Sequence, residues 1–424
     1  MITHHSALRK ALRVLHSDLQ RAHAECHSIR LTPVVKTVDS RRNLPRPNNS
    51  DDSDFFPDEI RDHIMNEPGV SITYKFRAGD RSVTLNFVEF NKQPNQLDML
   101  QMQAHARRVC ALLHLVSLHA NRNTCSSRLS IYIYLTDFEK RFPPQQGLPL
   151  DAEHANTGMS YHCVRTNDVI VYRREEWFKV LIHELFHAFG LSFIESDMPP
   201  GVDAAMQAML QKMYAISHPV RIYETYCEIW ARILTVLFDC FADNDGIQSS
   251  NNLKGTGTNS SNAITELVFM DCAMEGLEAN ARFARQQCAK LLRYAGISHA
   301  ILATPTAENR AIVAEKYREN TNVFAYYFLT CVLLHSPDEF MGWCYKNNPC
   351  TKDKKSMMQF RTAVLGNFNG LMELLHHCKQ RCPALDSDSG SNVGDIADVL
   401  GSSMRMTMPV PGPGPVPEKN YAKN

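Results

Sequence analysis

The sequence feature that most constrains the fold is the stretch His183-Glu184-Leu185-Phe186-His187, which has the pattern His-Glu-x-x-His. It lies in an apolar run over residues 175–190 that predicts a buried helix ending at Gly190. Residues four apart share one face of a helix, so the two imidazoles can bind one metal ion. Glu184 is then placed beside the metal, where a general base is needed. The competing interpretation is a pair of core histidines whose partners are backbone or carboxylate groups.

A catalytic zinc ion normally takes three protein ligands and keeps a fourth position for water. A longer form of the motif, His-Glu-x-x-His-x-x-Gly-x-x-His, supplies a third histidine. Here Phe193 occupies that position, and a phenyl ring cannot ligate a metal. Glu195 and Asp197 follow in a predicted loop and are two alternative ligands.

A better source of the third ligand is residues 221–234, whose apolar positions recur with helical spacing. Glu224 and Glu228 are four apart and share one face of this predicted helix. Two carboxylates at that spacing on a half-buried helix repel each other unless a cation lies nearby. The competing interpretation is a solvated helix face with two ordinary glutamates.

With these two motifs, residues 155–235 resemble the gluzincin group of zinc metallopeptidases. The resemblance implies a zincin-like fold and one Zn²⁺ per chain, ligated by His183, His187 and Glu224. It also implies that Glu184 is the base for a metal-activated water, and that Glu228 hydrogen-bonds a ligating histidine. Glu228 stands where the group usually has Asp, so the roles of Glu224 and Glu228 are open to exchange.

The resemblance also implies a transition-state stabiliser from the later helical part, because enzymes of this group commonly use a Tyr or His there. Tyr326 and Tyr327 are the candidates, with His335, Tyr161 and His162 as further ones. Around the two motifs, at residues 175–179 and 224–231, the chain is also similar to predicted metallopeptidases of large DNA viruses.

Alternating apolar residues predict strands at Val83–Phe87, Leu129–Leu135 and Val169–Val171, and a long helix is predicted over residues 97–119. The expected fold class is α+β, with a small mixed sheet and active-site helices followed by a mostly helical C-terminal part. Residues 156–160 or 168–172 are expected to form the sheet edge that pairs with a substrate backbone, or else an ordinary loop. The expected segments are an N-terminal helix and polar linker (1–57), a catalytic domain (58–242), a disordered loop (243–262), a helical subdomain (263–386) and a disordered Pro-rich tail (387–424).

Composition narrows the possible partners and compartments. Lys plus Arg equals Asp plus Glu at 45 each, so nothing argues for a nucleic-acid partner, and no apolar run is long enough for a membrane span. An amphipathic pattern over residues 7–20 favours a packing helix over a mitochondrial presequence. The localisation expected from these features is intracellular, cytoplasmic or nuclear, or in a virion if the protein is viral.

The thirteen cysteines are scattered, and several lie in apolar helical runs that predict reduced core residues: Cys110, Cys227, Cys240 and Cys331. His376, His377, Cys378 and Cys382 form a cluster that is either a second metal site or an exposed helix end.

The function expected from the sequence is a zinc-dependent metallopeptidase that hydrolyses peptide bonds in a peptide or protein substrate. Two alternatives stay open: a non-catalytic structural protein that retains a zinc site, and a zinc amidohydrolase with a non-peptide substrate. The sequence indicates neither the cleavage specificity nor the oligomeric state.

Overall fold

The computed structural model describes residues 6–39, 43–47, 56–120, 124–193, 198–251, 258–348, 360, 368–385 and 401–408. Within these ranges the chain forms thirteen α-helices and one six-stranded mixed sheet. The predicted combination of a mixed sheet with a mostly helical C-terminal part is confirmed. No helix in these ranges is both long and apolar enough to cross a membrane.

The sheet and the helices around it come from the first half of the chain. In order, these elements are α1 (Ser6–His27), β1 (Val34–Val38), α2 (Asp58–Asn66), β2 (Gly69–Ala78), β3 (Arg81–Phe90), a 3₁₀ turn (Pro94–Gln96), α3 (Met99–His119), β4 (Arg128–Leu135), α4 (Ala152–Ala155), β5 (Gly158–Ser160), β6 (Thr166–Val171) and α5 (Trp177–Ala188). The three predicted strands correspond to β3, β4 and β6, and the predicted long helix is α3. Strand β2 was missed, although its alternation of apolar and polar residues is typical of a strand.

The strand order in the sheet is β1-β2-β3-β4-β6-β5. Strands β3, β4 and β6 run parallel, and the flanking strands β1, β2 and β5 pair antiparallel with their neighbours. The short strand β5 therefore lies at one edge, next to helix α5. One sheet face packs in the main core, and the other packs against a small cluster around Phe56, Ile60 and Ile64.

The remaining elements are almost all helical. They are α6 (Val202–Met213), α7 (Ile222–Asn251), α8 (Thr258–Ala295), α9 (His299–Ala303), α10 (Ala307–Lys316), a π-helix (Phe324–Leu329), α11 (Thr330–Leu334), α12 (Pro337–Asn347) and α13 (Phe368–Arg381). A single buried apolar cluster runs from Leu8 to Met406. The segments predicted from composition therefore share one core. Helix α1 contributes Leu12, Leu15 and Leu19 to it, as expected for a packing helix.

Two predicted irregular regions are partly wrong. The loop predicted over residues 243–262 is helical wherever the structure describes it, because α7 continues to Asn251 and α8 begins at Thr258; residues 252–257 lie outside the described residues. Of the predicted polar linker, residues 43–47 and 56–57 are described, and Leu44 and Phe56 are buried there. The composition of these stretches predicted loops, but packing against neighbouring elements decided their structure.

The expectation that Cys240 is a reduced core residue is wrong, because Cys240 on α7 forms a disulfide with Cys272 on α8. The two Cα atoms are 5.8 Å apart, since the two long helices pack side by side. A second disulfide joins Cys125 to Cys163. Cys110, Cys227 and Cys331 are free and buried, as expected.

The Pro-rich tail expected from residue 387 onward is described only at residues 401–408, and there it is not solvated. Met404 and Met406 are buried in the main core. The Met404 amide donates to the Lys140 carbonyl at 2.9 Å, and Gln287 donates to the carbonyl of Arg405. The two methionines supply the apolar surface that anchors this segment, which the surrounding composition did not reveal.

Candidate metal centre

Helix α5 carries the His-Glu-x-x-His motif between the sheet and helix α7. Residues 178–186 of this helix are all buried, which agrees with the predicted buried helix. The helix ends at Gly190, whose φ of 62° lies in the left-handed region that glycine adopts without strain. The Gly190 amide donates to the His187 carbonyl at 3.0 Å, and the Leu191 amide donates to the Phe186 carbonyl at 2.9 Å. These bonds satisfy the last carbonyls of the helix, as in a Schellman-type C-cap.

Three side-chain atoms from α5 and α7 converge on one point. Nε2 of His183 lies 3.0 Å from Oε2 of Glu224, and Nε2 of His187 lies 3.5 Å from the same oxygen. The two Nε2 atoms are 3.3 Å apart. In a tetrahedral zinc site with bonds of about 2.0–2.1 Å, neighbouring ligand atoms are separated by about 3.3 Å. The triangle therefore has the size that a tetrahedral metal ion requires.

Glu228 lies one helical turn after Glu224 and contacts the other side of His183. Its Oε2 lies 3.2 Å from Nδ1 of His183, on the ring edge away from the triangle. The carboxylate also accepts two hydrogen bonds of 3.0 Å from Lys179 and one of 2.9 Å from Arg232. Oε2 of Glu224 is thus part of the triangle, whereas the Glu228 carboxylate lies against the opposite ring edge of His183.

The charges of the side chains around the triangle are compatible with a bound cation. A histidine that donates Nδ1–H to Glu228 has only a lone pair on Nε2, and at 3.0 Å that lone pair faces a carboxylate oxygen. Burial lowers the pKa of His183, but hydrogen bonds to Glu224 and Glu228 outweigh it and raise that pKa to about 10. Burial raises the pKa of Glu224, but the charge of His187 and the bond to His183 outweigh it and lower that pKa. Either a proton or a metal ion between these atoms offsets the negative charge of Glu224.

Glu184 lies outside the triangle and faces strand β5. Ser160 donates its hydroxyl proton to Oε2 of Glu184 at 2.8 Å and lies 3.0 Å from the Glu184 carbonyl oxygen. Burial raises the pKa of Glu184, and the Glu224 carboxylate raises it further against the lowering effect of the two histidines. A carboxylate with a raised pKa beside a metal centre suits a proton acceptor. Nothing in the sequence had singled out Ser160, which only the pairing of β5 brings to Glu184.

Gly158 explains how strand β5 comes so close to the helix. A Cβ atom at this position would lie 2.8 Å from Cγ1 of Val180 and 3.1 Å from Cγ of Glu184. Real Cβ atoms keep a larger distance, so only glycine fits between the edge strand and the helix. Of the two edges considered from the sequence, β5 is the sheet edge beside the motif, and Gly158 lines the cleft that opens over His183 and Glu184.

The two tyrosines proposed as transition-state stabilisers lie in different places. The Tyr326 hydroxyl is 3.3 Å from Oε2 of Glu224, and Tyr326 lines the same cleft as His183 and Glu184. The Tyr327 hydroxyl instead donates to the carbonyl of Met404, so the structure does not bring it to the site. Both tyrosines lie in the π-helix, from which their side chains point in different directions. Such helical irregularities are frequent at functional sites.

Cys227 is a candidate donor that the sequence analysis had placed in the core. One ligand atom each from His183, His187 and Cys227 lies within 4.8 Å of the others, and the sulfur is 3.8 Å from Nδ1 of His187. The thiol thus contacts the ring edge opposite the triangle, where Ser192 also lies at 3.3 Å. In the sequence, the available signal for this placement was that Cys227 follows Glu224 by one helical turn. Glu195 and Asp197, the other alternative ligands, lie outside the described residues.

Residues 401–408 contribute one wall of the cleft. Met406 lines it together with Lys179 and Gly158, and the Lys179 ammonium lies 3.3 Å from the Met406 sulfur. Glu176, at the start of α5, anchors this segment by accepting hydrogen bonds from the Met406 and Thr407 amides. The residues around His183 and Glu184 therefore form one packed unit with residues 401–408.

A second group of metal-type donors lies away from this cleft. Cys331, His335 and Cys382 each place one donor atom within 4.8 Å of the other two. The sequence left open whether His376, His377, Cys378 and Cys382 form a second metal site or an exposed helix end. Both histidines are exposed and Cys378 is buried separately, so the four residues do not form a metal site together. The reason is geometric, because α13 turns these residues to different faces and only Cys382, just after the helix, reaches α11.

No protein family model, curated protein or solved structure matches this chain. Any functional assignment therefore depends on the geometry of the site itself.

Proposed function

We propose that the protein is a zinc-dependent metallopeptidase with a gluzincin-type site. The observation that carries the proposal is the triangle of 3.0–3.5 Å formed by His183, His187 and Glu224. A further buried carboxylate, that of Glu184, lies beside this triangle without being part of it. A purely structural zinc site has four protein ligands and needs no such carboxylate, whereas a hydrolytic site needs both an open position and a base.

Each residue has a chemical role in this proposal. When bound, zinc supplies a Lewis acid that polarises the scissile carbonyl and makes a water molecule acidic. Glu184 accepts the proton of the attacking water and returns it to the leaving amine, and the Ser160 hydroxyl holds its carboxylate in place. The Tyr326 hydroxyl, on the cleft wall, donates a hydrogen bond to the oxyanion. Glu228, held by Lys179 and Arg232, keeps His183 in the tautomer that ligates through Nε2.

The position of strand β5 supports a peptide as the substrate. An extended peptide can add to a sheet edge through backbone hydrogen bonds, and β5 is the edge strand that lies over the motif. Gly158 lines the cleft at its strand side. A peptide paired with β5 would present its carbonyl groups next to Glu184. A zinc amidohydrolase with a non-peptide substrate would have no use for this edge.

The burial of the site favours a second candidate function, a zinc site that only stabilises the fold. His183 and Glu184 are 6% and 7% exposed, and Met406 covers part of the cleft. In that case the metal would resist exchange, and Glu184 would be dispensable for every measurable property except stability.

The first experiment measures bound metal in the wild type, Glu224→Ala and Glu228→Ala, all purified without chelator. The proposal requires that Glu224→Ala loses one zinc equivalent relative to the wild type and that Glu228→Ala keeps most of it with weaker affinity. The reverse result would exchange the roles of the two glutamates. A wild type that binds no zinc, even after refilling, would remove the basis of the proposal.

The second experiment tests catalysis with a peptide library and the variant Glu184→Gln. This variant should keep its zinc and lose turnover by about 10²–10⁴-fold, the usual contribution of a general base. Glu308→Gln, an exposed glutamate on α10, is the matched control and should cleave like the wild type. Equal turnover in Glu184→Gln and the wild type would contradict the assigned base. Cleavage by neither protein, with zinc bound, would support the structural alternative.

A further inference from the structure

The group formed by Cys331, His335 and Cys382 has the composition of a structural metal site. Cys331 lies on α11, His335 follows one turn later, and Cys382 directly follows the last residue of α13. Their donor atoms are mutually within 4.8 Å. Two thiols and an imidazole are the ligands that zinc prefers in structural sites. None of these residues belongs to the cleft described above.

The orientation of His335 suits a ligand. Its Nδ1 lies 2.9 Å from the Cys331 carbonyl oxygen, the residue four positions earlier. The same Nδ1 lies 3.6 Å from the Cys331 sulfur, so this ring edge faces both the carbonyl and the thiol. In the tautomer that we assign, Nδ1–H donates to the carbonyl and Nε2 keeps the lone pair. Metal-ligating histidines are normally fixed in this way, by a hydrogen bond from the other ring nitrogen to a backbone carbonyl or a carboxylate.

A further buried thiol, Cys288 on α8, is not one of the residues whose donor atoms lie mutually within 4.8 Å. Its sulfur lies 3.3 Å from the Tyr327 carbonyl oxygen and donates to it. The group therefore offers three protein ligands. A zinc ion held by two thiolates and one neutral imidazole has no net charge, and its fourth position would be filled by water.

We propose that Cys331, His335 and Cys382 bind a second zinc ion that ties α13 to α11. On binding, each ligating thiol releases its proton to solvent, and no change of oxidation state is involved. The site joins helices that lie far apart in sequence, the usual arrangement in which a metal stabilises a fold. The inference does not depend on the proposed peptidase activity, since it shares no residue with that site.

The test counts zinc in the reduced, refilled full-length protein. The wild type should bind two equivalents, His187→Ala one, Cys382→Ser one, and the variant with both changes none. Cys378→Ser is the matched control: this buried thiol lies one turn earlier in the same helical segment, next to Ser336, and the variant should keep both equivalents. Two results would overturn the proposal. In the first, the Cys382→Ser protein keeps two zinc equivalents. In the second, the wild type binds a single zinc equivalent and the Cys382→Ser protein retains it.

Cobalt substitution keeps the proposal testable if Cys382→Ser folds poorly. Thiolate ligands give Co²⁺ an intense near-ultraviolet charge-transfer band, whereas a site of two histidines and a glutamate does not. The band should persist in Cys227→Ala and His187→Ala, which alter only the first site, and in Cys378→Ser. Its absence from the cobalt-loaded wild type, or its loss in Cys227→Ala, would show that the second site does not bind metal. A Cys331–Cys382 disulfide found by mass spectrometry in the protein purified without reductant would also refute it.

Discussion

The substitution Glu228→Gln tests the hydrogen-bonded network that orients His183. The Glu228 carboxylate is 1% exposed and contacts two buried cations, Lys179 and Arg232, which are 3% and 1% exposed. The amide keeps the size of the side chain but removes the negative charge, so both cations lose their counter-charge. Removing one partner of a buried ion pair typically costs about 3–5 kcal/mol of the free energy of unfolding, because the remaining charge is left unpaired. We expect a loss in this range.

The same substitution should weaken metal binding without abolishing it. Second-sphere partners of ligating histidines typically contribute about 10–100-fold to metal affinity. Glu228→Gln should therefore raise the zinc dissociation constant of the cleft site by this factor, while Glu224→Gln should lose that zinc. Urea unfolding in chelator measures the stability effect, and competition with a chromophoric chelator measures the affinity.

The control for Glu228→Gln is Glu278→Gln on α8. Glu278 pairs with Arg282 at the same spacing of four residues and at 2.7 Å, but both side chains are more than half exposed. Exposed pairs contribute little, so this variant should unfold within about 0.5 kcal/mol of the wild type. The reasoning fails if Glu228→Gln also changes stability by less than about 1 kcal/mol, or if it loses zinc while Glu224→Gln retains it.

Three further predictions concern the surroundings of the site. Gly158→Ala places a methyl group 2.8 Å from Cγ1 of Val180, and urea unfolding should show a loss of about 1–3 kcal/mol; a variant as stable as the wild type would mean that β5 does not pack on α5. Glu176→Gln weakens the anchor of residues 401–408, so limited proteolysis should cut this segment faster, and an unchanged rate would argue against the anchor. In the metal-free protein, the interactions that raise the pKa of His183 stabilise the fold fully below about pH 6.5. This stabilisation is lost as the pH rises through about 10. The lowered pKa of Glu224 acts in the opposite sense, with stability present above its unfolded value near 4.5 and lost at lower pH. Chemical denaturation of the metal-free protein at a series of pH values should therefore show maximal stability between about pH 4.5 and pH 6.5. Stability that still rises toward about pH 10 would refute the assignment.

The sequence by itself predicted the parts of the site that one helix carries. His183 and His187 need only helical periodicity to share a face, with Glu184 directly beside it, and the helix end at Gly190 needs only the conformational freedom of glycine. Strands β3, β4 and β6 and helix α3 followed from apolar alternation and periodicity in the same way. These features are local, so the spacing of residues along the chain is enough to predict them.

Contacts between distant segments were decided by the tertiary structure alone. The sequence left Glu224 and Glu228 interchangeable because both lie on one helix face, and only the packing of α7 against α5 sets one toward Nε2 and the other toward Nδ1 of His183. Met406 and the grouping of Cys331 with Cys382 had no local signal, and Ser160 was predicted only as part of a possible sheet edge. Their partners come from segments tens to hundreds of positions away, and the contacts depend on how whole helices and strands pack, which no short pattern encodes.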